Sequence, residues 1–167
     1  RSTEKPAEVE IACLDAANTP GPLSPKRVDQ GLHRAALFVG GAGLLFARWA
    51  NGFRKHPNRL PMFDPATSNA AGGDDSIIYY HSYWKLDPDE ALVIEVMPPR
   101  CDAWNFQLNN YWMESLDYRH HNICINKHSA HYEEDGSVRI VVAHKDPGAP
   151  NWIDTTGHGE GTMCWRW

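Results

Sequence analysis

The chain's hydrophobic pattern changes period partway along. Across residues 28–55, Leu32, Ala35, Ala36, Val39, Gly43, Phe46, Ala50 and Phe53 recur three and four apart, the spacing of one helical face. Asp29 suits the start of such a helix, Arg54 and Lys55 suit its end, and Pro57 follows it. Gly40, Gly41 and Gly43 each weaken a helix by roughly 1 kcal/mol relative to Ala. They also permit close approach of another backbone, so the helix is expected to be buried against a sheet or a partner, with a break near Gly40. Residues 60–75 read as a connector ending in the turn Gly72-Gly73-Asp74-Asp75.

Beyond that turn the pattern is that of strands. Residues 76–84, SIIYYHSYW, are β-branched and aromatic. Residues 91–97, ALVIEVM, run apolar except for Glu95, which predicts a central, mostly buried strand. In residues 103–111, Trp104, Phe106 and Leu108 alternate with Asn105, Gln107 and Asn109, as in a half-buried strand. Residues 120–131 read as a weak strand or loop. HYEEDGSVRIVVAH predicts a hairpin turning at Asp135-Gly136, and residues 162–167 predict a closing strand. Short strands between turn signals point to an antiparallel sandwich or barrel. The fold class expected is mainly β (α+β), an antiparallel jelly-roll-like β-sandwich. The expected division is an extended arm over residues 1–27, a helical segment and connector over 28–74, and a β-sandwich domain over 75–167. Pro6, Pro20, Pro22 and Pro25 keep the arm from forming a regular helix or a central strand.

Composition narrows the function classes. The 167 residues carry a net charge of −5 with acids and bases interspersed, which leaves no nucleic-acid footprint. The basic cluster FRKHPNR closes the helix. The longest apolar stretch, residues 35–50, falls short of a bilayer span and contains Arg48 and three glycines. Four cysteines lie far apart with no C-x-x-C, which favours reduced, buried thiols over a zinc ribbon or redox motif. Together these favour a soluble, cytoplasmic protein. The chain begins at Arg1 without Met and reads as a processed or partial one. Seven tryptophans suit an aromatic core, with an aromatic-lined ligand pocket as the functional alternative.

Candidate chemistry gathers in residues 146–167. Asp146-Pro147-Gly148 has the composition of a turn. Asp154 and His158, with three residues between them in a turn, are the candidate catalytic pair, because a carboxylate orients an imidazole as a general base. Thr155 or Thr156 would be the nearby hydroxyl and Asn151 an amide donor to an oxyanion. The structural alternative is that Asn151, Asp154 and Thr155 hold the loop by side-chain to backbone bonds. Candidate ligand-binding residues are Asn151, Trp152, Arg166, Trp104 and Arg119. Arg166, flanked by Trp165 and Trp167, would stack between rings or face a ligand anion. Arg119 would pair with Asp117 or grip an anion. Five of nine histidines lie in residues 120–144. In the predicted hairpin, His131 would pair with Ile140 and His128 with Ala143, placing His128 and His131 on opposite faces. No metal site is therefore assigned and no cofactor is predicted, a His-bound metal being the lesser alternative. There is no nucleophile elbow and no phosphate-binding glycine loop.

The segments YYHSYWKLDPDEALVIEVMPP, AWNFQLNNYWMESLDYR, DGSVRIVVAHKDPGAPNWIDTTGH and GTMCWRW resemble the domain-of-unknown-function 1214 family over about residues 75–167. Residues 32–60 are similar to the helical lead-in of its longer members, which often carry a second uncharacterised domain, numbered 1254, ahead of it. The resemblance implies a jelly-roll-like β-sandwich bearing the signature loop, and no established activity. The partners expected are a small-molecule ligand, from the aromatic and polar residues above, and a second chain or N-terminal domain, from the longer members, with homo-oligomers as an alternative. Two functions stay open: a small-molecule-binding protein or enzyme using the Asp/His pair, and a non-catalytic structural or oligomerisation domain.

Overall fold

The computed structural model describes residues 8–12, 14 and 21–167. The chain divides into two compact units, Arg1–Phe38 and Val39–Trp167. Most of the arm expected over residues 1–27 lies outside the described residues, as does Cys13. In the first unit the described residues are an irregular stretch and the beginning of helix α1 (Pro25–Phe53), all exposed.

The helix runs unbroken through Gly40, Gly41 and Gly43, contrary to the expected break. A Cβ on any of these glycines would meet nothing within 4 Å, so no backbone approaches them. Burial is confined to the helix's last turns, at Ala50 and Phe53, while Leu44 and Phe46 stay exposed. The expectation of a buried helix therefore holds only at its C-terminal end.

The second unit is mostly strand. Strands β1 (Tyr79–Lys85), β2 (Ala91–Val96), β3 (Asn105–Leu108), β4 (Cys124–Asn126), β5 (Val138–Ala143), β6 (Trp152–Asp154) and β7 (Glu160–Arg166) form two sheets. The first is antiparallel in the order β1-β7-β3-β4; the second, β2-β5-β6, pairs β5 with β6 in parallel. Trp84, Phe106, Leu108, Ile125, Met163 and Trp165 of the first sheet share one core with Val138, Ile140, Val142 and Ile153 of the second. With the helix added, this is an α+β fold. β7 reads as the most buried strand because it is paired on both sides. Gly161 is required there, since a Cβ would collide with the Asn109 carbonyl oxygen.

Two strand predictions need correction. β2 is an edge strand with alternating burial rather than a central one. Its outward residues Ala91, Val93 and Glu95 are exposed, and Glu95 pairs with Arg139 at 2.8 Å across the outer face. The turn at Asp135-Gly136 forms, with Glu133 N–H donating to Ser137 O at 2.9 Å, but its first arm is not a strand. The buried Asn151 amide explains why. Its Oδ1 accepts from His131 N–H and its Nδ2 donates to His131 O, each at 2.7 Å, so both backbone groups that a ladder would use are taken. β5 pairs with β2 and β6 instead.

The segment after α1 lies along the free edge of β1. Asn58 N–H donates to Tyr83 O at 2.8 Å and Phe63 N–H to Tyr79 O at 2.7 Å. Asn58 also uses its side-chain amide as a strand would, accepting from Lys85 N–H and donating to Lys85 O. Within the expected connector lies a short helix, α2 (Pro65–Ala70), capped by Asp64. These contacts hold the end of α1 and residues 61–67 over one face of the first sheet.

Candidate functional site

The predicted catalytic pair does not form. Asp154 Oδ2 lies 2.7 Å from Nδ1 of His121, and Asp154 Oδ1 accepts from Thr156 N–H at 2.8 Å. His158 is exposed, and its backbone N–H donates to Thr155 O. The carboxylate that was to orient His158 thus orients His121, 33 residues earlier in the chain. Thr155 is fully buried and its hydroxyl lies 2.8 Å from His144 Nδ1, while His144 Nε2 is 3.3 Å from Leu86 O. A tautomer with Nε2–H donating to Leu86 O and Nδ1 accepting from Thr155 satisfies both contacts.

The other expected ligand residues are dispersed. Asn151 is buried and fully engaged, donating also to Arg139 O at 2.9 Å, which leaves no N–H for an oxyanion. Trp152 donates its indole N–H to Ala143 O. Trp104 is core: it stacks on Trp165 at 4.9 Å, and its indole N–H donates to the Tyr132 hydroxyl. Arg119 is exposed and meets Asp117 through its backbone N–H, as in an Asx turn, rather than through its guanidinium. Asp146 Oδ1 accepts from Gly148 N–H, with Gly148 at φ +75°, so that segment is a turn. Arg166 does not stack between Trp165 and Trp167, because strand alternation sends it to the opposite face from Trp165. Arg54 is the guanidinium over aromatic rings, 5.3 Å from the Tyr83 centroid.

That opposite face of the first sheet is where polar chemistry collects. The register places Arg166 between Tyr79 and Asn105, and Cys164 between His81 and Gln107. Arg166 Nε and Asn105 Oδ1 are buried without a protein partner. Phe53 of α1 stacks on the His81 imidazole at 5.4 Å and 10°, Tyr79 stacks on it at 5.5 Å and 5°, and Phe63 meets it edge-on at 5.4 Å. Cys164 Sγ lies 3.9 Å from His81 Nε2.

Above this cluster is a cavity of about 420 Å³. His81 and Ser82 form its floor, Arg48, Trp49, Gly52, Phe53 and His56 one wall, and residues 61–64 with Thr67 the other. A second cavity of about 220 Å³ shares Trp49, Phe63 and His81 with it. Burial, and then the positive charge of Arg166, hold His81 down to about 4, so the imidazole is neutral at pH 7. Burial pushes the Cys164 thiol up to about 11, outweighing the opposing pull of Arg166. The floor is thus neutral and apolar with a polar edge, suited to packing and hydrogen bonding rather than to nucleophilic attack by a thiolate. Cys101, Cys124 and Cys164 are free thiols; Cys124 is exposed, against the expectation of buried cysteines.

Sequence reasoning did not single out His81. Its signal was the alternation in YYHSYW, which puts Tyr79, His81 and Tyr83 on one face opposite Trp84. The facing wall followed the helical period, with Trp49 and Phe53 four apart. No local motif joins the two. Among the described residues no group of three or more His, Cys, Asp or Glu side chains could hold a metal, and no helix is long and apolar enough to cross a membrane.

Over its full length the chain is similar to an uncharacterised protein from Burkholderia cenocepacia of known crystal structure. The two share 55% identity and superpose with a TM-score of 0.92, the match covering 100% of this chain and 47% of that one. The chain therefore spans about half the length of that relative. A structure from Vibrio parahaemolyticus matches at 12% identity and a TM-score of 0.41, over 53% of this chain and 25% of that one, a likeness too slight to define a shared fold. No family model and no curated protein matches the chain.

Proposed function

We propose that the chain is a small-molecule-binding domain and that its ligand occupies the aromatic cavity over His81. The observation that carries this reading is the cavity itself. Its volume of about 420 Å³ falls in the range of small-molecule sites, and its aromatic walls converge with a few polar groups, as such sites do. The resemblance to the domain-of-unknown-function 1214 family and the jelly-roll-like sandwich belong to the same reading. Its partners would be a small molecule and, in a longer protein, whatever covers the exposed length of α1.

Titrating isotope-labelled protein with 3-phenylpropionamide, a neutral one-ring probe, tests it. The Trp49 indole N–H resonance should shift, while that of Trp104, in the core, stays in place. A perturbation centred on Trp152 would move the site to the signature loop.

One observation favours a second reading. Asp154 and His121 form an oriented carboxylate–imidazole pair with His121 partly open to solvent, the arrangement of a general base. Hydrolysis of an activated aryl ester that falls on Asp154→Asn substitution, with a matching loss on His121→Ala, would support this reading. Equal rates in all three proteins would remove it.

A further inference from the structure

We infer that the cavity over His81 takes a small monoanion, an aromatic or aliphatic carboxylate whose apolar body lies against Phe53, Phe63 and His81 and whose carboxylate meets Arg48; this rests on the cavity being the ligand site. The lining is one-ended. Phe53 reaches the floor, where it stacks on His81. Trp49 and Arg48 stand four and five residues earlier on the same wall, roughly 6 and 7.5 Å along the axis. A ligand spanning that interval needs a ring and a spacer of two or three atoms before its charged group.

The charges favour an anion. Among the described residues the ion pairs are Arg54 with Glu160, Arg139 with Glu95 and His121 with Asp154, so Arg48 has no carboxylate partner. The carboxylate in the lining, Asp64, is already engaged in capping α2. It accepts from Thr67 Oγ1 at 2.6 Å, Thr67 N–H at 3.0 Å and Ala66 N–H at 3.3 Å. The Thr67 hydroxyl bond, more than any other contact, holds Asp64 below the usual carboxylate range, so it stays ionised without needing a cation. Behind the floor, Arg166 adds positive potential that reaches His81. An aromatic cage could instead attract an ammonium group, and the charge of Asp64 favours one, but the Asp64 oxygens are taken up in capping α2 while Arg48 is without a carboxylate partner among the described residues and Arg166 adds to its potential. A guanidinium presents a planar fork that matches a carboxylate in two parallel hydrogen bonds.

The test is calorimetric titration at low salt with three ligands of one shape: 3-phenylpropionate, 3-phenylpropionamide and 3-phenylpropylamine. The carboxylate should bind about tenfold more tightly than the amide, as expected for one charge-assisted contact near the surface, and the amine most weakly. Arg48→Gln should bring the carboxylate-to-amide ratio close to one. Arg48→Lys, which keeps the charge and loses the fork, should retain part of the preference. Added salt should lower the ratio in the wild-type protein. Equal affinity for carboxylate and amide, or tighter binding of the amine, overturns the anion assignment and leaves the cavity reading in place. No binding by any of the three overturns the cavity reading itself.

Discussion

His81 shows how one residue couples burial to charge. An unfolded chain's imidazole takes up a proton near pH 6.5, whereas the folded one refuses it until about pH 4. Between those values the unfolded state binds more protons, so stability falls as the pH drops through the window and levels off below it. The full span is on the order of 3 kcal/mol. Urea unfolding at pH 7 and pH 5 should show a larger loss for the wild-type protein than for His81→Gln; parallel losses would mean that the imidazole is freely protonated. Asn151 shows the structural counterpart. Its buried amide makes three part-buried hydrogen bonds, to His131 N–H, His131 O and Arg139 O. Asn151→Ala leaves those groups unpaired and should cost about 3 kcal/mol in chemical unfolding. A cost under about 1 kcal/mol would show that water replaces the amide. The sequence marked Asn151 as important but left its role open between oxyanion donor and loop clamp. Only the positions of His131 and Arg139, 20 and 12 residues away, decide for the clamp.

At the scale of elements, local pattern was readable and pairing was not. The helical period from Leu32 to Phe53 and the alternation of Trp104, Phe106 and Leu108 correspond to α1 and β3; in β3 the pattern marks the face that meets the core, whereas α1 buries only Ala50 and Phe53. The run ALVIEVM was expected at the centre of a sheet and lies at an edge, since which strand takes the neighbouring place is decided by distant contacts. The hairpin failed for a similar reason: Asn151, beyond the hairpin, occupies the backbone groups of His131. β7 provides a sharper test of pairing. Gly161→Ala places a methyl against the Asn109 carbonyl and should lower stability by roughly 1–3 kcal/mol. An unchanged unfolding midpoint would mean that β3 and its following loop shift freely. The same sheet distinguishes its cysteines. Cys124 on the edge strand should react with iodoacetamide under native conditions, while Cys164 on β7, buried and held as a thiol, reacts only after unfolding. Mass mapping of native modification at Cys164 would contradict its placement.

At the scale of the molecule, the signature loop and the candidate site are separate places. The stretch from Asn151 to His158 is strongly patterned, yet most of its side chains are committed to scaffold: Asn151 to His131 and Arg139, Trp152 to Ala143, Thr155 to His144. The cavity is assembled from the end of α1, the connector and β1, which follow one another along the chain but form no local motif. Reading the alternation of β1 together with the period of α1 gives the residues of each wall, but not that the two walls meet. The central claim, that ligand binds in this cavity and not at the loop, is tested most directly by the dissociation constant of 3-phenylpropionate for three proteins: wild type, Gly52→Leu and Asp154→Asn. Gly52 lines the cavity with open space where a Cβ would stand, so leucine should fill it without disturbing the helix. The account predicts that Gly52→Leu abolishes binding while Asp154→Asn leaves it unchanged. Binding retained in Gly52→Leu and lost in Asp154→Asn would contradict it.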